Sequence, residues 1–224
     1  MIAEPSTLAT DYALTVEGAW LGWRLNTFAR TAGHRAGRLW SAAFGAMAAG
    51  SFFGGTYHGF FTSMRPLAAR VVWTTTTILV GFAACLLLSA TIVATRRQGG
   101  RSWLLPFVWI QFGIYVIWML RHDDFFYVIV EYGAAMLLIV GLLVSNAAVR
   151  RQEWARWTIA GIATTIAAAF VQQSGVDAHQ YLNHNDLQHL VQMVGLFLLY
   201  RGGARLIEAP ERRAASPTAE QRPA

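Results

Sequence analysis

Three histidines and a few carboxylates are the residues of this chain whose types and spacing could do chemistry. His58 closes a glycine-rich run, Gly50-Ser51-Phe52-Phe53-Gly54-Gly55-Thr56-Tyr57-His58-Gly59, and a second cluster reads Asn183-His184-Asn185-Asp186-Leu187-Gln188-His189. Imidazole nitrogen and carboxylate oxygen are ligands that suit zinc, and a catalytic zinc keeps one position for a water that ionises near neutral pH. His58, His184 and His189 are therefore the candidate metal ligands. Glu131 and Asp186 are the candidate catalytic carboxylates, placed to move the proton of an attacking water. Asp124 and Glu17 join them as groups able to fix an imidazole tautomer from behind.

Helical spacing decides which of these can meet. Asp186, His189 and Gln192 or Met193 lie three and four apart, so they share a face once the segment is helical. His184, five positions before His189, points elsewhere on a continuous helix. It reaches the same ion only from a position at or before the N-cap, for which Asn183 or Asn185 is suited. On the other segment Gly54 lies one turn below His58, and glycines spaced by four let helix backbones approach closely. Asp124 and Glu131 are seven apart and share a face.

The elements that must carry these residues are set by an unusual solvent. A chain of 224 residues that is 55% hydrophobic and 13% charged is too apolar for an ordinary soluble domain. Its mean hydropathy is +0.38. A helix needs about 20 apolar residues to cross a hydrocarbon core about 30 Å thick. Seven such segments are read: Thr10 to Phe28, Gly37 to Phe61, Ala69 to Thr95, Trp103 to Leu120, Phe125 to Asn146, Trp154 to Gln172, and Asn185 to Arg205. The first contains Asp11, Glu17 and Arg24, and crosses only if its acids face the bundle interior or a wet cavity. The expected fold is all-α, an integral membrane bundle of seven transmembrane helices over residues 1–207. Residues 208–224, rich in Pro, Ala, Glu and Arg, are expected to form a disordered tail.

Arginine placement predicts the orientation, because short cytoplasmic loops carry the positive excess. Arg24, Arg30, Arg35, Arg38, Arg96, Arg97, Arg101, Arg150, Arg151, Arg156, Arg201 and Arg205 flank one set of ends. The opposite connections hold only Arg65, Arg70 and Arg121. The N terminus is thus expected outside and the C terminus inside, in what is read as a bacterial cytoplasmic membrane. His58, Asp11, Glu17, His122, Asp123, Asp124, Glu131 and the 177–189 cluster then fall in the outer half. Ionisable groups at membrane depth cost about 2.5–3.5 kcal/mol each on insertion scales, so their convergence marks a functional site.

Several classes are excluded. The net charge of +6 is scattered through short loops and forms no basic face, so nucleic acid is not an expected partner. All basic residues are arginine, which rules out Schiff-base chemistry and retinal attachment. Cys85 is the lone cysteine, so no intrachain disulfide or thiolate cluster can form. Met1 to Thr10 carry no basic segment ahead of the first apolar stretch, and no cleaved signal peptide is expected.

Seven spans, a histidine closing the second and a histidine-rich opening to the seventh resemble the superfamily of alkaline ceramidases, progestin and adiponectin receptors, and lipid-remodelling hydrolases of the GPI pathway. The resemblance implies a zinc-dependent membrane hydrolase, with His58 at the helix-two histidine and His189 at the second helix-seven histidine. In this chain Gly54 stands at the family's helix-two serine, Asn185 at its first helix-seven histidine, and Trp73 to Thr77 where an aspartate is expected. The expected function is hydrolysis of an amide or ester bond in a lipid-like substrate that enters from the bilayer. Two alternatives stand beside it: a membrane haem carrier using paired histidines, and a proton-coupled transporter or ligand sensor using Asp11, Glu17 and Glu131.

Overall fold

The computed structural model describes residues 2–95, 103–179 and 182–215. Among them helices follow one another with no strand between: α1 (Pro5–Thr31), α2 (Arg35–Phe60), α3 (Pro66–Ala94), α4 (Leu104–Met119), α5 (Phe126–Ser145), a single turn α6 (Ala147–Arg150), α7 (Glu153–Ser174) and α8 (His184–Ala215). Each of the seven apolar segments is one of the long helices. Four of these, α3, α5, α7 and α8, are long and apolar enough to cross a membrane by length and composition. Helix α4 is apolar but shorter. The all-helical fold is compatible with an integral membrane protein.

Local chemistry explains the helix ends. Pro5 and Pro66 sit in the first turns of α1 and α3, where a missing N–H costs nothing. His34 caps α2 by accepting the Gly37 amide at 3.0 Å. Gly175, at φ 63°, closes α7 in the left-handed region that a side chain resists. Two edges differ from the sequence reading. Helix α1 starts earlier, at Pro5, because Thr7 finds a partner on α8. Helix α8 continues to Ala215, into the segment expected to be disordered, since alanine, glutamate and arginine are good helix formers. Residues 216–224 of that tail, and Arg96, Arg97 and Arg101 of the third connection, lie outside the described residues.

The packing is written in small residues. Helices α1 and α2 run antiparallel, and the Cα of Gly18 faces Ala48, that of Gly22 faces Phe44, and that of Gly55 faces Asp11 and Tyr12. A Cβ on Gly55 would lie 2.8 Å from the Asp11 Cβ, so the seam closes only without one. Helix α8 is antiparallel to α7, with Gly161 against Leu199, Gly195 against Thr165 and Gly202 against Thr158. Helix α8 is parallel to α1. Two side-chain hydrogen bonds at the same sequence offset, Thr7 to Asp186 at 2.8 Å and Thr10 to His189 at 2.9 Å, fix that register. Helix α3 packs on α2, α4 and α5, and α4 touches mainly α3 through Tyr115 on Gly81.

The core and the perimeter are both apolar. Trp40, fully buried, donates Nε1 to the Leu199 carbonyl at 3.2 Å and ties α2 to α8. Outward-facing Phe107, Ile114, Leu137 and Phe170 are each more than 60% exposed. Such a belt would associate in water, whereas acyl chains in a bilayer would solvate it. Between helices in lipid the hydrophobic effect is weak, so close van der Waals packing and hydrogen bonds must hold the bundle.

Candidate functional site

The site is built at the end of the bundle where α1 and α8 begin and α2 ends. Asn183 caps α8 with its side-chain oxygen, which accepts the amides of Asn185 at 2.9 Å and Asp186 at 3.0 Å. Asp186 reciprocates by accepting the Asn183 amide at 3.0 Å, an aspartate version of the capping box. Its other oxygen accepts the Thr7 hydroxyl, and Asn183 Nδ2 donates to that same hydroxyl at 3.2 Å. Asp186 is fully buried with these partners. The closed ring Thr7–Asp186–Asn183 locks the start of α8 onto α1.

One turn further along, the same seam carries an acid–imidazole pair. His189 Nδ1 meets the Thr10 hydroxyl at 2.9 Å, and its Nε2 lies 3.4 Å from Asp11 Oδ1. Both are nearly buried, with side chains 12% and 7% exposed. Asp11 lies against Gly54, where a Cβ would stand 3.6 Å from either carboxylate oxygen. The glycine at the resemblance's serine position thus stands within ordinary contact distance of a carboxylate supplied by α1. Above it, His58 Nδ1 bonds Glu4 Oε2 at 2.9 Å, and the Ala3 amide donates to the Gly59 carbonyl at 2.9 Å. The N-terminal residues are therefore strapped across the end of α2.

A cavity of about 140 Å³ runs from this polar end into the bundle. His58, Asp11 and His189 line its upper part together with Trp73, while Ala84 and Leu87 of α3 close the lower part. Trp73 is held by donating Nε1 to the Asp123 carbonyl at 2.7 Å.

The residues singled out from the sequence are divided by the fold. His58 and His189 line one cavity. His184 does not line it; as the first residue of α8 it turns back to Asp177, with Nδ1 and its own amide 2.8 and 2.9 Å from the same carboxylate oxygen. Those two bonds hold the exposed Asp177 carboxyl below its usual range. Asp186 is spent on the cap. Glu131 is buried against α4 and accepts a hydrogen bond from Gln111, away from the cavity wall. Asp124 accepts the Phe126 amide at 2.8 Å and starts α5.

Among the described residues no group of three or more His, Cys, Asp or Glu side chains is gathered within ligating reach of one point. With His184 turned to Asp177, His58 and His189 are the two candidate ligands that remain on the cavity wall. The partners that sequence reasoning did not assign to the site are Glu4, Thr7 and Thr10. Polar residues at positions 4, 7, 10 and 11, spaced by three and four and hence on one helix face, were the available signal.

Fold and site together define a helical bundle with an acid–imidazole pair at the polar end of an internal cavity. The chain belongs to a family of unknown function, DUF6962, whose model matches residues 6–208. No curated protein and no solved structure matches it.

Proposed function

We propose that this protein is an integral membrane hydrolase that cleaves an amide or ester bond of a lipid-like substrate held in the cavity. In this reading all seven long helices cross the bilayer, with the N terminus outside and the C terminus inside, and the cavity opens toward the outer surface. The observation that carries the reading is the Asp11–His189 pair at 3.4 Å on the wall of an otherwise apolar cavity. Two nearly buried ionisable groups on neighbouring helices are costly to keep in a membrane protein without a use.

The chemistry follows from the pair. Thr10 and Asp11 hold the imidazole through both nitrogens, so its orientation is fixed. A water beside the pair loses a proton to it as the water oxygen bonds to the acyl carbon. The tetrahedral species collapses by breaking the C–N or C–O bond, and the same proton passes to the leaving nitrogen or oxygen. His58, bonded to Glu4, faces the same space and orients the polar end of the substrate.

The test is release of fatty acid from acyl amides and esters by the purified chain in lipid nanodiscs, measured by mass spectrometry. Turnover that survives Asp11→Asn with His189→Gln would overturn the assignment. The zinc-dependent form of this chemistry, with His58, His184 and His189 as ligands, requires His184 to leave Asp177 and turn inward; metal analysis of the purified protein tests it.

A second reading, a proton-coupled transporter or ligand sensor, draws on Glu17. Its Oε2 is buried without a hydrogen-bond partner on the same helix as Asp11. That reading requires pH-dependent proton flux across liposomes containing the protein, lost on Glu17→Gln.

A further inference from the structure

The walls of the cavity say what kind of molecule it can hold. Its lining runs along α8 from Asn185 to Leu199, which at about 1.5 Å per residue is about 21 Å, the length of an extended acyl chain with a small head. Its volume is only about 140 Å³. A space this small, spread over that length, admits one slender chain and no second one beside it.

Charge narrows the choice further. No arginine among the described residues lines the cavity, and the chain has no lysine. Its one carboxylate wall residue is Asp11, with Glu4 behind His58 at 2.9 Å and Asp186 one turn before His189. A phosphate or carboxylate head would enter a site of low dielectric that has no arginine or lysine, has acids on several sides, and has both wall imidazoles already paired, His58 with Glu4 and His189 with Asp11, which the Coulomb term disfavours. Gln188, Gln192 and Asn185 instead offer paired donors and acceptors to an uncharged head.

We propose that the cavity binds one uncharged, single-chain amphiphile, an acyl amide or acyl ester with a hydroxyl- or amide-bearing head, and rejects anionic and two-chain lipids. This deepens the hydrolase reading above and rests on the cavity being its substrate site. After cleavage the carboxylic acid loses its remaining proton to water or to the released amine, and the resulting anion meets no arginine or lysine on the cavity wall, so the binding preference also favours product release.

The experiment is isothermal titration of the full chain in nanodiscs with four probes: N-octanoylethanolamine, octanoic acid, octyl phosphate and dioctanoylglycerol. The expected result is saturable binding of the neutral amide at least tenfold tighter than either anion, and no saturable binding of the two-chain diacylglycerol. Gln188→Arg, which places a cation at the polar end, is expected to raise octanoate affinity at least tenfold. Ala84→Phe, which fills the lower end, is expected to abolish amide binding while the variant's unfolding temperature shows that it is folded. Equal or tighter binding of the anions, saturable binding of dioctanoylglycerol, or an unchanged octanoate affinity in Gln188→Arg overturns the proposal. Binding with this preference but without turnover removes the hydrolase reading alone. Turnover without the preference removes this one alone.

Discussion

His189 Nε2 lies 3.4 Å from Asp11 Oδ1 across the parallel seam between the first and last helices of the bundle. The contact joins residues at opposite ends of the chain, and it lies one turn beyond a ring of hydrogen bonds, Thr7–Asp186–Asn183, that sets its register. The geometry of the pair and the docking of the two helices are therefore coupled, although they reside in different residues.

The pair itself is expected to govern turnover. Asp11→Asn and His189→Gln each keep the shape and are expected to lower the rate of acyl-bond hydrolysis by about 10²–10⁴-fold, the range for general acid–base groups. Glu131→Gln, whose residue bonds Gln111 outside the cavity, is expected to leave the rate within about twofold. Rates are to be measured by mass spectrometry on variants in nanodiscs. A slow Glu131→Gln with a normal Asp11→Asn would reverse the assignment.

The neighbouring ring is expected to govern stability. Asp186→Ala removes the capping partner of the Asn183 amide and strands the Thr7 hydroxyl, at an expected cost of about 1–3 kcal/mol. Thr7→Val alone is expected to cost about 1 kcal/mol. The double variant should cost less than the sum, because both changes break the same bond. Denaturant unfolding in detergent measures all three.

Close helix approach gives a contrast between two glycines. A Cβ on Gly202 would lie 2.6 Å from Thr158 Oγ1 and 3.2 Å from the Thr158 backbone nitrogen, whereas one on Gly141 meets nothing within 4 Å. Gly202→Ala is expected to destabilise by about 1–3 kcal/mol through overpacking of the α7–α8 seam. Gly141→Ala, on an exposed helix face, is expected to stabilise by about 0.5–1 kcal/mol. Equal effects at the two positions would show that the α7–α8 seam is looser than described.

Acid is expected to weaken the connection between α1 and α2. His34 caps α2 only while neutral, because its Nδ1 accepts the Gly37 amide. Burial holds its pKa below the ordinary value of 6.5. The capping contribution is thus complete above that ordinary value and lost as pH falls through the lowered one. The unfolding temperature is expected to drop between about pH 7 and about pH 5, in the window where histidine titrates. His34→Asn caps without titrating and should flatten that part of the profile.

Topology is open to direct labelling. Thr31 and Ser63 are exposed at opposite ends of α2, and Cys85 is buried. With a membrane-impermeant thiol reagent, Ser63→Cys is expected to react from outside intact cells and Thr31→Cys only after permeabilisation. The opposite pattern would invert the bundle.

Much of the helical architecture was legible because it depends on local rules. An apolar run long enough to cross a membrane, proline in a first turn and an asparagine before an acid each act within a few residues. The seven long helices accordingly fall on the seven apolar segments. The shared face of Asp186 and His189 follows from spacing alone; spacing left the cap open between Asn183 and Asn185, and with it whether His184 joins His189, and the cap at Asn183 places His184 in the first turn, on Asp177. Helix edges were less legible: Thr7 extends α1 through a partner far along the chain, and α8 runs on to Ala215 on the propensity of residues that also compose disordered tails.

By itself, the sequence determined an all-helical, apolar chain with imidazoles and acids concentrated toward one end. Which of them meet was a matter for tertiary structure. Asp11 reaches His189 because α1 and α8 run parallel in one register, and Gly55 lets α1 close on α2 at Asp11; Glu131 faces Gln111 because α5 packs beside α3 with α4 on its flank. Periodicity fixes the face on which a side chain stands, while the neighbour it finds depends on how whole helices approach one another, and the small residues that permit that approach look alike at every seam.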